Sequence, residues 1–96
     1  MDNRQELLKK LMILVQEIDE AKNVVDDEKI GYLNNYKIGV ENVIAKLQDG
    51  VLPASKGGLI GTMRGISDYD SLACIKKLYD AASDVDLFYS KECYEW

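Results

Sequence analysis

The chain has 96 residues, 47% apolar and 30% charged, with 12 basic and 17 acidic side chains for a net charge of −5. That balance fits one folded domain with a modest core and excludes a disordered chain. It also argues against nucleic acid, which needs clustered Lys and Arg, and favours a more basic protein as partner.

The first predicted element is a helix over 3–26. Asp2 or Asn3 stands at its start, and Asn3 with Glu6 forms a variant of the capping box. Leu7, Leu11, Leu14, Ile18, Ala21 and Val25 recur at alternating spacings of four and three, an apolar stripe on one helix face. Leu8, Met12 and Val15 widen it. Asp26-Asp27-Glu28 ends the pattern and offers an N-cap to the next element.

A second helix is predicted over 29–49, from Leu33, Tyr36, Val40, Val43 and Leu47, broadened by Ile44. Gly31 and Gly39 fall inside it, where each costs about 1 kcal/mol relative to Ala unless a neighbour needs the space. An alternative lets Gly31 end the first helix and Asn34 cap the second. Gly50 is placed to end the helix as a left-handed residue, and Pro53 blocks continuation.

Residues 50–66 form a Gly-rich hinge. It carries the only proline, and four of the seven glycines lie between Gly57 and Gly65. Leu59, Ile60, Met63 and Ile66 give it too much apolar surface for a solvated linker, so an ordered, packed segment is expected. One version is a short helix capped by Ser55 and running to Gly65. Gly57, Gly58 and Gly61 could present backbone N–H groups to an anion, with Lys56 and Arg64 adding charge. Neither the P-loop nor the Gly-x-Gly-x-x-Gly pattern is present, and the competing reading is a tight packing turn.

The last predicted helix spans 68–95, with Ser67 and Asp70 at its start. Its stripe is Ile75, Leu78, Ala82, Val85, Tyr89, Cys93 and Trp96, flanked by Leu72 and Tyr79. Ser83-Asp84 or Asp86 could break it near residue 83 and cap a new piece.

Together these elements predict an all-α fold of one domain over 1–96, an antiparallel bundle of three long helices. Four or five helices result if the hinge and residues 84–95 form separate pieces. The charge alternates along the chain: net −4 over 1–28, +3 over 29–67 and −4 over 68–96. This suits packed helices that attract one another weakly at the surface.

Two lone cysteines, Cys74 and Cys93, form neither a disulfide framework nor a zinc motif, and are expected to be reduced packing residues. The opening residues do not read as a signal peptide, and the longest apolar run, Leu11 to Val15, is far too short to span a membrane. A cytoplasmic location is the expectation.

The absence of histidine removes Ser–His and Cys–His nucleophile pairs and His-based metal sites. Glu17-x-x-Glu20 puts two carboxylates on one helix face. In size and helix content the chain resembles the all-α nucleotide pyrophosphohydrolases, in which such pairs bind magnesium. Carried over, that resemblance implies a metal-dependent hydrolase using Glu17, Glu20, Asp80 and Asp84. A solvated acidic face is the competing reading.

The aromatic residues carry a stronger signal. Asp68-Tyr69-Asp70 and the terminal Tyr94 and Trp96 place interface-type rings beside acids, the pairing that anchors and steers a basic partner. In size, acidity and helix content the chain resembles the small helical immunity proteins that protect bacteria from their own toxins; no motif is shared. The leading expectation is therefore a non-catalytic, cofactor-free binding protein that inhibits or neutralises a more basic protein. A homodimeric structural module is the third alternative.

Overall fold

The computed structural model describes residues 3–95; Asp2, as a cap, and Trp96, as an anchor, lie outside them. The described chain is all-helical: α1 Asn3–Ala21, α2 Asp27–Gln48, α3 Thr62–Ser67, α4 Asp70–Ala73 and α5 Lys76–Glu92. α1 packs against both α2 and α5, α3 against α5, and α4 against α3 and α5. The extents are 39 × 21 × 19 Å; α2, with 22 residues, spans about 33 Å at helical rise, so the long helices set the long dimension.

α1 forms because its apolar stripe closes the core. Leu7, Leu11, Leu14 and Ile18 are all fully buried. Met12, one of the residues expected to widen the stripe, is instead 58% exposed. Asn3 does not cap its own helix; its side-chain amide donates to the carbonyl of Glu92 at 2.5 Å. Lys10 pairs with Asp84 at 3.3 Å, and Glu17 and Lys77 line one depression. Seven residues up α1 match seven or eight down α5, so the two helices run antiparallel.

α1 stops at Ala21, short of the expected residue 26. The amides of Asn23 and Val24 bond three residues back, to Glu20 and Ala21, tightening the end of the helix. Asp26 then takes an extended conformation (ψ 171°) and its carboxylate accepts from the Lys29 amide at 3.0 Å. A residue serving as N-cap for α2 cannot also continue α1. Asp27 and Glu28 lie in the first turn, where the helix dipole favours acids.

α2 ends as its sequence suggests. Gly50 sits at φ +75°; its amide bonds to Leu47 and that of Val51 to Lys46, the Schellman pattern that glycine permits.

The expected helix 68–95 is divided, but not near residue 83. α5 runs unbroken through Ser83-Asp84, and the break falls at Cys74-Ile75. Helical phase explains this. On a straight helix Leu72 would lie about 120° away from the Leu78–Ala82–Val85–Tyr89 stripe, at 100° per residue. The break lets Leu72 join that stripe in the core, where it is fully buried. Two of the five helices therefore come from the hinge end and the 68–75 segment, and residues 84–95 do not form a piece of their own.

Gly31 and Gly39 do not serve a close helix contact, because a Cβ on either would meet nothing within 4 Å. Gly65 differs: its Cβ would lie 2.8 Å from Cε1 of Tyr36. Gly31→Ala and Gly39→Ala should each raise stability by up to about 1 kcal/mol in denaturant unfolding. Gly65→Ala should lower it by about 1–3 kcal/mol, as overpacking does.

Candidate functional site

The hinge is ordered by what it bonds to on α5 and on the two residues that follow it. The Tyr89 hydroxyl donates to the Pro53 carbonyl at 2.6 Å. The Ser55 amide donates to the Cys93 carbonyl at 2.9 Å and the Lys56 amide to that of Tyr94 at 3.3 Å. Carbonyls left open at the end of α5 are thereby used. Ile60 and Met63 pack against the core and Ile66 is within it, whereas Leu59, expected to turn inward, is 56% exposed.

The segment then enters α3 through Gly61, left-handed at φ +98°. The helix is capped neither by its own N-cap residue nor by Ser55. Asp86, 1% exposed on α5, reaches across to it. Its Oδ1 accepts from the amides of Gly61 (3.2 Å) and Thr62 (3.1 Å) and lies 2.6 Å from the Thr62 hydroxyl. Its Oδ2 accepts from the Met63 amide at 3.1 Å. The Thr62 hydroxyl is also 2.9 Å from the Ala82 carbonyl, so its one proton is shared between two acceptors.

At the expected anion site, Lys56, Gly57, Gly58, Gly61 and Arg64, the three glycine amides have partners within the chain. The hinge does cradle an anion, but that anion is the protein's own carboxylate. The Gly61 amide is taken by Asp86, and those of Gly57 and Gly58 bond to Ser55. Lys56 and Arg64 are exposed to solvent.

Two tyrosines of α2 close over α3. Tyr36 donates to the Thr62 carbonyl at 2.7 Å and Tyr32 to that of Gly65 at 2.5 Å. Burial pushes the Tyr36 phenol well above its ordinary value, and the nearby Asp86 charge adds to it. Burial also raises Tyr32, assisted by Tyr69 and the Asp68 charge.

Tyr69 stands at the next corner, between α3 and α4. Its ring meets that of Tyr32 edge-on, 4.8 Å between centroids, and carries the Lys29 ammonium 4.7 Å from its centroid. It is 40% exposed. Asp68, Asp70, Asp27 and Glu28 are exposed, and none is in an ion pair among the described residues. The Asp68 charge acts on the Tyr32 hydroxyl, so an unpaired acid and a half-open aromatic face share this corner.

The expected partner anchors do not form a single patch. Asp68, Tyr69 and Asp70 lie at the end where α2 begins. Tyr94, 49% exposed, comes after α5 at the other end, where Asn3 meets Glu92. About 28 Å of α1 separates the two ends at helical rise.

The hydrolase alternative fares differently. Glu17, Asp80 and Asp84 line a depression of about 570 Å³ between α1 and α5, together with Lys77. Lys10 pairs with Asp84 and Lys76 with Asp80. Among the described residues no group of three or more Cys, Asp or Glu side chains is close enough to hold a metal. Burial raises the Glu17 carboxyl, and a hydrogen bond and repulsion from Glu20 raise it further.

Cys93 is buried, which pushes its thiol up to about 11; Cys74 is exposed. Among the described residues no helix is long and apolar enough to cross a membrane. The chain matches no protein-family model, no curated protein and no solved structure, so function is read from its own geometry.

Sequence reasoning named Asp86 as a cap but for the wrong helix, and missed Tyr32 and Lys29. Asp86 carried a signal, an acid at the edge of an apolar stripe. Lys29 and Tyr32 carried none, because they meet Tyr69 only through the fold.

Asp86→Ala would strip the α3 amides of their acceptor. It should cost about 2–4 kcal/mol in denaturant unfolding, with amide exchange accelerated first at residues 61–63. The tyrosines give a second expectation. The fold holds Tyr36 protonated to a higher pH than the unfolded chain, whose phenols release their protons near pH 10. Above that pH the unfolded state binds fewer protons, so stability falls as pH rises. Tyr36→Phe should flatten that alkaline loss above about pH 10, while costing about 1 kcal/mol at neutral pH for the lost hydrogen bond.

Proposed function

We propose that the protein is a non-catalytic binding module that neutralises a more basic protein, in the manner of the small helical immunity proteins. Three long helices would serve as scaffold, and the corner built by Asp68, Tyr69, Asp70 and the start of α2 would be the contact. The observation that carries this is the half-exposed Tyr69 ring, which stands between Asp68 and Asp70, two exposed acids that pair with no cation of the described chain. An aromatic anchor supplies contact area at low entropic cost, and unpaired acids steer and select a cationic surface.

A second reading, the homodimeric module, draws on the outer face of α1. Met12 and Ile13 are 58% and 46% exposed and border grooves shared with Leu8, Val15 and Ile44. A continuous apolar strip on a helix is a common self-association surface.

Affinity capture from the source cell tests the first reading. Wild type should retain a basic protein at low salt and inhibit its activity, and Asp68→Lys with Asp70→Lys should lose both. Equal retention by the two forms would remove the corner from the function. Light scattering that shows a stable dimer, dissociated by Met12→Glu, would favour the second reading.

A further inference from the structure

We propose that the Tyr69 corner is a seat for an arginine side chain of the partner, and that Lys29 occupies this seat in the free protein. The inference rests on the binding role proposed above and names the chemistry of its contact.

The platform is held from beneath. Tyr32 meets the Tyr69 ring edge-on at an interplanar angle of 64°, and the Tyr32 hydroxyl is fixed to the Gly65 carbonyl. Tyr36, stacked beside Tyr32 with centroids 6.5 Å apart, is fixed to Thr62. The Tyr69 backbone is extended, at φ −124° and ψ 120°, and its side chain caps nothing. Its ring is therefore positioned without serving as a cap for the helix it precedes.

That the ring accepts a cation is shown by Lys29, whose ammonium lies 4.7 Å from the centroid. Lys29 is in no ion pair with a carboxylate, although Asp27 and Glu28 precede it, Asp68 and Asp70 adjoin Tyr69 in the chain, and the Asp68 charge acts on the neighbouring Tyr32. The carboxylates remain available to an incoming group. Arg64, one turn before Asp68, is exposed and pairs with none of them.

Arginine fits this corner better than lysine. A guanidinium is planar, so it stacks on a ring face while its fork of N–H groups reaches a neighbouring carboxylate. It is also less tightly hydrated than an ammonium, so it gives up less on leaving water. Lys29 gains only the ring; an arginine gains the ring and a bidentate carboxylate contact. Because Lys29 holds the ring until displaced, the free protein binds below the intrinsic affinity of the seat, by the fraction of time the ring is open.

The test uses blocked tetra-arginine and tetra-lysine peptides of equal charge, titrated at low salt into the full chain and followed by NMR of the tyrosine rings and the backbone amides. Tetra-arginine should move the Tyr69 and Tyr32 ring signals and bind severalfold more tightly than tetra-lysine. Lys29→Met should tighten tetra-arginine severalfold. Lys46→Met, which removes a positive charge at the far end of α2, should not. Tyr69→Leu should make the two peptides bind equally and weakly, while Tyr69→Phe, which keeps the ring, should retain the preference. Equal binding of both peptides by wild type would overturn the seat. So would shifts centred on Glu17, Asp80 and Asp84 with Tyr69 unmoved, or no tightening on Lys29→Met. If wild type captures a basic protein and Tyr69→Leu captures it equally, the seat fails and the neutralising role stands. If no basic protein is captured at all, the role itself fails, whatever the peptides do.

Discussion

The structure depends on one carboxylate. Asp86 is buried on α5, and a charge removed from water must be met by donors. Three consecutive amides at the start of α3 and the Thr62 hydroxyl meet it. The same bonds satisfy the open N–H groups of a six-residue helix too short to be stable alone. Each side of the contact would be costly without the other, which is how the hinge is fixed to α5 at a single register. Gly61 makes the approach feasible, because its left-handed backbone turns the amides toward α5.

The position of α3 in turn sets the contacts of α2. With α3 fixed, the carbonyls of Thr62 and Gly65 face α2 and take the hydroxyls of Tyr36 and Tyr32. α2 and α3 are thus joined through long polar side chains, and Gly65 is needed because the Tyr36 ring lies directly against it. Tyr32 also supports Tyr69. The exposed corner is therefore the outer end of a chain of contacts that begins at a buried acid.

This organisation explains which features are legible in the sequence. The stripes of α1 and α2 can be read because a helix face repeats locally, and Asp26 and Gly50 because each cap acts within a few residues of itself. Asp86 can be read as a helix-capping acid but not assigned its helix, since α3 lies about twenty residues away. The hinge glycines have the character of an anion cradle, while the anion sits on another element. The break at Cys74-Ile75 carries no proline or glycine. It exists because Leu72 and Leu78 cannot both reach one core from a straight helix, which is a property of packing and not of local sequence. Asp68, Tyr69 and Asp70 are visible as a motif; their separation from Tyr94 comes from the antiparallel run of α1 and α5.

The shape of the corner bears on the kind of ligand it suits. Small molecules are usually held in concave sites of about 300 Å³ or more that bury most of their surface. The groove beside Tyr36, Ile60 and Thr62 is about 240 Å³ and open, and in the larger α1–α5 depression the carboxylates of Asp80 and Asp84 are already paired with Lys76 and Lys10. Tyr69 instead stands at an exposed corner. An aromatic ring there, flanked by acids, buries little of a small ligand, but it can be enclosed by a partner that brings its own concave, basic surface. The binding energy would then come from a rigid projection entering the partner, with the internal carboxylate of Asp86 supplying the rigidity. On the proposed reading the protein would contribute the knob of an interface, and the pocket would belong to its partner.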